Sequence, residues 1–248
     1  LMGSGKTLMA IEVAKMKKAE NKRVGFVCRN HQFALYARSV LSKYEVTVIC
    51  TETLDLDNLP DVFDCIIVDE GQDCMTVNQV AIIDGLVKDG LSEGSCYWFM
   101  DKNNQSHFYN DFDIQCLDFL ADFPRHNLSF NCRNTKPMIE LIKSVTNGDC
   151  GKPKIESPGL EPSIKAGFDD KQAQASELSN VIIELIDGGA QPSDITILTV
   201  LDTKERCVNS VINNLSPLIG RPNKQDRLQN KIEFFDVVSF KGQENKVV

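Results

Sequence analysis

Apolar residues along the chain fall into two alternating patterns, short continuous runs and longer segments with helical spacing. The short runs predict buried strands at 24–28, 46–50, 65–68 and 96–100. The helical spacing predicts helices at 6–19, 32–43 and 77–87. Strands that alternate with helices in this way are typical of an α/β fold with a mostly parallel sheet.

The first helix shows how the apolar face is assigned. Leu8, Ile11, Ala14 and Met16 follow a helical spacing, so we expect them to form the face that packs on the sheet. Three lysines lie near the end of this helix, where the helix dipole favours cations.

The alternation continues after Pro124 and predicts a second unit. The predicted strands are 128–130, 195–199 and 234–238. The predicted helices are 136–145, 173–187 and 204–215. Residues 146–162 are rich in Gly, Pro, Asn and Ser, which predicts a loop. We therefore expect one domain over 1–123 and another over 124–248.

The composition is that of a globular protein without predicted membrane spans. The chain has 248 residues, of which 42% are hydrophobic and 25% charged, as in ordinary globular proteins. None of the nine cysteines forms a C-x-x-C pair, which argues against a structural zinc site. Scattered cysteines of this kind favour a reducing, cytoplasmic compartment. No apolar stretch is long enough to predict a membrane span. The net charge of −8 means that any nucleic-acid binding must come from a local surface.

The chain begins with the second half of a P-loop pattern. Gly3, Ser4, Gly5, Lys6 and Thr7 match the end of G-x-x-x-x-G-K-[ST]. In that pattern backbone N–H groups surround phosphate oxygens, the lysine reaches the terminal phosphates, and the Thr hydroxyl binds Mg²⁺. The first glycine of the pattern would precede Leu1, so we expect the chain to be a fragment of a longer protein. The alternative is a chance match in a solvated loop.

A second motif places carboxylates at the end of a predicted strand. The apolar run 65–68 is followed by Asp69 and Glu70, and then by Gly71, Gln72 and Asp73. A carboxylate at the tip of a buried strand is costly unless a cation lies beside it. Together with the P-loop pattern, this predicts a site for ATP and Mg²⁺, with Thr7 and Asp69 as metal ligands.

Five segments in this order resemble the motifs of superfamily 1 helicases of the UvrD/Rep type. After the P-loop, 24–30 resembles motif Ia and 69–73 resembles D-E-x-Q-D. Residues 99–105 are similar to motif III, 128–134 to motif IV and 238–244 to motif V. The form of these motifs is most similar to helicase-type ATPases that accompany nuclease-related domains, so a nuclease domain in the same full-length chain is an implied partner.

The resemblance implies two RecA-like P-loop NTPase domains with parallel sheets and an ATP cleft between them. The second domain would be truncated at its C-terminus. The resemblance also implies a minimal motor that acts on single-stranded nucleic acid, DNA in preference to RNA.

The same resemblance implies roles for individual residues. Asp69 would bind the metal, Glu70 would act as general base, and Gln105 would sense the γ-phosphate. Arg133 would stabilise the transferring phosphoryl group from the second domain. Gln72 would link the carboxylate strand to the other motifs, and the remaining nucleotide contacts would come from Lys241, Gly242 and Glu244. Contacts to nucleic acid would come from Asn30, His107 and Phe108.

Each of these assignments has a structural alternative. An arginine such as Arg133, taken alone, is more often a surface salt-bridge partner, and its place in Asn-Cys-Arg is what favours a role in the site. Gln105 is also a plausible turn residue, because the segment after Asp101 is one residue longer than the motif. Lys241 and Glu244 would form an exposed pair if they have no part in the site. The R-W-R-G-A continuation of motif III is absent, since Asn110, Asp111 and Phe112 stand there.

The sequence therefore predicts an ATP hydrolase that couples hydrolysis to single-strand binding or translocation. Its alternative is a nucleotide-gated regulatory module that controls an attached nuclease without unwinding. A third interpretation is an ATPase without a nucleic-acid partner.

Overall fold

A computed structural model of the chain describes residues 3–54, 61–101, 112–155, 159, 161–168, 170–200, 230–240 and 245. The chain forms two compact units, Leu1–Ser163 and Ile164–Val248. The boundary predicted at 123/124 falls inside the first unit.

The first unit contains a four-stranded parallel sheet. Its strands are β1 (Val24–Cys28), β2 (Thr47–Cys50), β3 (Cys65–Val68) and β4 (Cys96–Trp98). They lie in the order β2-β1-β3-β4, and β1 pairs with both β2 and β3. Every residue of β1 and β3 is buried, because helices cover both faces of a parallel sheet. The α/β fold with a parallel sheet is confirmed.

Alternate residues of the strands face two separate cores. Phe26 and Ile67 pack with α1 (Lys6–Ala19) and α2 (His31–Leu41) on one face. Val27 and Ile66 pack on the other face with α3 (Val77–Leu86), and α4 (Gly90–Glu93) also contributes there. This two-residue period places consecutive side chains of each strand on opposite sides of the sheet.

The predicted bounds of α1 agree with the structure, but its predicted apolar face is wrong in part. Leu8 is 67% exposed and Met16 is 61% exposed. The sheet instead receives Ala10, Ile11 and Ala14, whose spacing of three or four residues puts them on one face. Two alanines there leave little side-chain bulk between the helix and the strands.

Residues 130–153 add a small parallel ladder to the first unit. It consists of β5 (Phe130–Asn131) and β6 (Lys152–Pro153), connected through α5 (Lys136–Thr146). The prediction of an uninterrupted loop over 146–162 is therefore wrong at β6. This strand has no apolar pattern and exists through pairing, since the Lys152 N–H donates to Ser129 and the Lys154 N–H to Asn131.

The second unit has a smaller core. Its elements are α6 (Lys171–Asp187), β7 (Thr196–Thr199), β8 (Glu233–Asp236) and α7 (Val237–Phe240). β7 and β8 are parallel, and their apolar residues pack against α6. The chain turns into α7 after Asp236, whereas the strand was predicted to continue to residue 238. The predicted helix at 204–215 lies outside the described residues.

Two predictions from composition can be compared with the described part of the chain. The eight cysteines in the described ranges are all free thiols. None of the helices in those ranges has the length and hydropathy that crossing a membrane would require.

Candidate nucleotide site

The turn before α1 ends at a helix N-terminus that no side chain caps. Gly3 and Gly5 have φ values of 68° and 85°, a backbone conformation that glycine adopts without strain. Gly5 is the N-cap residue of α1, and it has no side chain that could accept the first N–H groups. No acidic residue lies in the first turn. This combination is typical of an anion-binding helix N-terminus.

Asp69 lies next to this turn, at the carboxyl end of β3. Its N–H donates to the Val27 carbonyl, which continues the pairing with β1. The side chain is fully buried, and its Oδ1 accepts the Glu70 N–H at 3.0 Å. The other oxygen, Oδ2, is buried and makes no hydrogen bond. A buried carboxylate oxygen without a donor is a costly arrangement that a cation would relieve.

The groups around Asp69 shift the pKa of its carboxyl in both directions. Burial and the nearby Glu70 charge raise the pKa of Asp69 to about 7. The Thr7 hydroxyl and the Lys6 charge act in the opposite direction and lower it. Thr7 is therefore close to the carboxylate without supplying a hydrogen bond to Oδ2. The structure thus brings together the P-loop residues and the first carboxylate that the sequence placed in one site.

Glu70 is held in an unusual backbone conformation by the segment that follows it. Its φ of 52° and ψ of 41° lie in the left-handed region, which is uncommon for a residue other than glycine. Its Oε2 accepts a 2.5 Å hydrogen bond from Gln72 Nε2. The Gln72 Oε1 accepts the Asp101 N–H at 2.8 Å. The buried Gln72 side chain therefore connects the carboxylate after β3 with the backbone that follows β4.

The glycine within the carboxylate motif is required by a close contact. A Cβ on Gly71 would lie 1.9 Å from Trp98 Nε1, well inside van der Waals distance. The Gly71 N–H also donates to the Phe99 carbonyl at 2.8 Å. Trp98 therefore packs directly on the backbone beside Glu70, and a larger residue at position 71 would displace one of the two segments.

A third segment reaches the P-loop turn from β5. The Cys132 N–H donates to the Gly3 carbonyl at 2.8 Å. A Cβ on Gly3 would lie 2.6 Å from Asn131 Oδ1, so the Asn131 side chain packs against the turn. That side chain is fully buried, and its Oδ1 accepts the N–H groups of Arg133 and Asn134. Arg133 thus follows a segment fixed to the P-loop turn, and its own side chain is exposed.

Sequence reasoning gave no role to Asn131 or Asp101. Both lie in the segments that resemble motifs IV and III, and both are buried polar residues: Asn131 is the last residue of β5, and Asp101 follows the end of β4 by three residues. A polar residue directly after an apolar run was the available signal. What the sequence does not show is that Asn131 contacts Gly3, because the two residues are far apart along the chain.

Several predicted site residues cannot be placed. Gln105, His107, Phe108, Lys241, Gly242 and Glu244 lie outside the described residues. Asn30 is described, and its Oδ1 accepts the Phe33 N–H at 3.0 Å as the N-cap of α2. Its side chain therefore has a structural use, in addition to the nucleic-acid contact predicted for it.

Comparison with models of known protein families gives no match for this chain. Comparison with curated proteins likewise finds no relative.

Proposed function

We propose that the protein is an ATP-hydrolysing nucleic-acid motor of the superfamily 1 helicase type. In this proposal, ATP hydrolysis is coupled to binding or translocation of single-stranded nucleic acid. The observation that carries the ATPase part is the buried Asp69 oxygen without a hydrogen bond, beside Thr7 and Lys6 and next to the open N-terminus of α1. An anion-binding turn beside an unsatisfied carboxylate suits a phosphate chain with a hard cation.

The residues present fit a magnesium ion. Asp69 and the Thr7 hydroxyl would hold it, since Mg²⁺ prefers oxygen ligands. In the part of the chain that the structure describes, no cluster of three His, Cys, Asp or Glu side chains could hold a metal alone. This agrees with an ion that takes one or two protein ligands and completes its shell with phosphate and water. When bound, Mg²⁺ would neutralise charge on the phosphate oxygens.

The other residues would act on the phosphates and on water. Lys6 and the N–H groups at the start of α1 would bind the phosphates. Glu70 would accept a proton from the attacking water, with Gln72 fixing the orientation of its carboxylate. Arg133 would stabilise negative charge on the transferring group, and its backbone is positioned by Asn131.

The first experiment separates phosphate binding from chemistry in the full-length protein. We expect Lys6→Ala to abolish hydrolysis, because its charge binds the phosphates in the ground state. Glu70→Gln should lower kcat by about 10²–10⁴-fold and leave ATP binding largely intact, because a general base acts only during the reaction. ATP turnover and the binding of a fluorescent ATP analogue are measured for each variant.

Exposed residues of the same types supply the controls. Lys88→Ala and Glu93→Gln change side chains that are exposed and lie outside the site. They should match the wild type in both measurements. A Glu70→Gln variant with wild-type kcat would refute the assignment of the base.

The coupling to nucleic acid needs a separate measurement. Single-stranded DNA should stimulate ATP hydrolysis, and duplex DNA should do so less. If no nucleic acid stimulated the ATPase activity, the proposed nucleotide site would be unaffected, but the proposal of a nucleic-acid motor would be wrong.

A further inference from the structure

The two residues of β5 face opposite sides of its ladder. Asn131 is fully buried and packs against the P-loop turn. Phe130 is 50% exposed. Half of the Phe130 surface is therefore open to solvent, and an aromatic ring in this position has an apolar face on which a flat ligand could stack.

Two lysines lie on the same outer face as Phe130. Lys152 is paired with Phe130 in the parallel register, and paired residues present their side chains on one face of a sheet. Lys154 lies two residues further along, and its Nζ is 5.8 Å from the centroid of the Phe130 ring. Both lysines are exposed. We call Phe130, Lys152 and Lys154 the β5–β6 outer face.

The charge of this face contrasts with that of the whole chain. The net charge is −8, yet two of the three residues that define the β5–β6 outer face are lysines. Among the described residues, neither Lys152 nor Lys154 takes part in an ion pair. Their positive charge is therefore available to an anionic partner.

We propose that the β5–β6 outer face binds single-stranded nucleic acid, with one base stacked on Phe130 and neighbouring phosphates on Lys152 and Lys154. An exposed aromatic ring flanked by cations is the combination that binds single strands without a sequence preference. An acidic protein segment would use the lysines but gains less from an exposed ring. This inference rests on the proposed function, because it locates the nucleic-acid partner of the same motor.

The position of the face suggests how the two ligands would influence each other. Asn131 contacts the turn that would hold phosphate, and Phe130 is the preceding residue on the opposite side of the same strand. A shift of β5 on strand binding would therefore move Asn131 and the backbone N–H groups that it orients.

Binding of labelled oligothymidylate to the full-length protein tests the proposal. Lys152→Gln combined with Lys154→Gln should weaken binding and lower the magnitude of the salt slope by about 1.4, since each single-strand phosphate contact contributes about 0.7. Phe130→Ala should weaken binding by roughly five- to 150-fold with an unchanged salt slope, because stacking is not ionic. Phe130→Trp should restore the affinity.

A charge-matched control uses two exposed lysines elsewhere. Lys43→Gln combined with Lys171→Gln changes the net charge by the same amount, and Lys43 also lies over an aromatic ring, 5.1 Å from the Tyr44 centroid. This control should bind as the wild type does. Equal binding by the control and the Lys152/Lys154 variant would overturn the proposal, as would full affinity in Phe130→Ala.

Two further outcomes are informative about the partner and the function. Competition by polyglutamate as effective as competition by oligothymidylate would overturn the assignment to nucleic acid. ATP hydrolysis without nucleic acid is measured on the same variants and should equal that of the wild type. Loss of oligothymidylate binding in these variants, with intact basal hydrolysis, supports the proposal. Normal binding with intact hydrolysis overturns it, and the proposed ATPase site is then unaffected.

Discussion

At the scale of single residues, Asp69 is held in a state that costs stability. Its carboxylate is fully buried, and Oδ2 makes no hydrogen bond. Burial and the Glu70 charge raise its pKa from 3.8 to about 7, so the folded protein retains this proton to a higher pH than the unfolded chain does. The free energy of unfolding therefore contains a term that decreases as pH rises from about 4 to about 7.

Asp69→Asn should consequently stabilise the protein at pH 8 in the absence of nucleotide and Mg²⁺. The amide has nearly the same shape, its Oδ1 can still accept the Glu70 N–H, and it carries no charge to bury. The gain is a few kcal/mol at most, since one pKa unit corresponds to about 1.4 kcal/mol. Near pH 4 both side chains are neutral in the folded state, so the gain should become small. Denaturant unfolding at the two pH values measures it.

Asp122→Asn is the matched control, because Asp122 is exposed and lies outside the helices and strands. Its unfolding should follow the wild type at both pH values. If Asp69→Asn were less stable than the wild type at pH 8, the buried carboxylate would not be under electrostatic strain, and the case for a cation site there would weaken.

At the scale of elements, the connection between β3 and β4 sets the position of the carboxylates. The Gly71 N–H bonds to Phe99, Trp98 packs on Gly71, and Gln72 connects Glu70 with Asp101. These contacts come from two neighbouring strand ends. The position of the Glu70 carboxylate therefore depends on how closely these strand ends approach.

Gly71→Ala should destabilise the protein by about 1–3 kcal/mol, the usual cost of overpacking. The added Cβ would overlap Trp98 Nε1, which has no hydrogen-bond partner to lose. Replacing Trp98 with a smaller side chain should relieve this clash, so the two changes should be coupled in a double-mutant cycle of Gly71→Ala and Trp98→Leu. Unfolding free energies of the four proteins measure the coupling. Strictly additive effects would mean that the contact does not fix the Gly71 backbone.

At the scale of the whole molecule, the two compact units differ in the size of their cores. The first unit has two apolar clusters, one on each face of a four-stranded sheet. In the second, the described residues form one cluster around a two-stranded ladder. Buried apolar area largely determines how much free energy local opening requires.

Amide hydrogen exchange should therefore separate the units. The amides of Ile66, Ile67 and Val68 in β3 should exchange only through opening of the first sheet. Those of Ile197 and Leu198 in β7 should exchange faster and respond to lower denaturant concentrations. Equal protection at all denaturant concentrations would show that the units unfold together.

Much of the α/β organisation could be predicted from the sequence because it rests on local patterns. The runs at 24–28 and 65–68 are strands at the predicted positions, and the glycines before Lys6 form the predicted turn. Hydrophobic periodicity and backbone preference act over a few residues, so they can be seen in a single chain. The same holds for a carboxylate placed directly after a buried strand.

Other features exist only through contacts between distant segments. β6 has no pattern of its own and forms because the N–H groups of Lys152 and Lys154 donate to the carbonyls of Ser129 and Asn131. Leu8 is exposed although its helical spacing predicted burial. Asn131 packs against Gly3 although no local pattern predicted that contact. The sequence by itself determined the strands β1 and β3, the glycine turn before α1 and the carboxylate directly after β3. The tertiary structure decided which backbone surrounds them, because packing and hydrogen bonding between distant segments depend on how the whole sheet assembles.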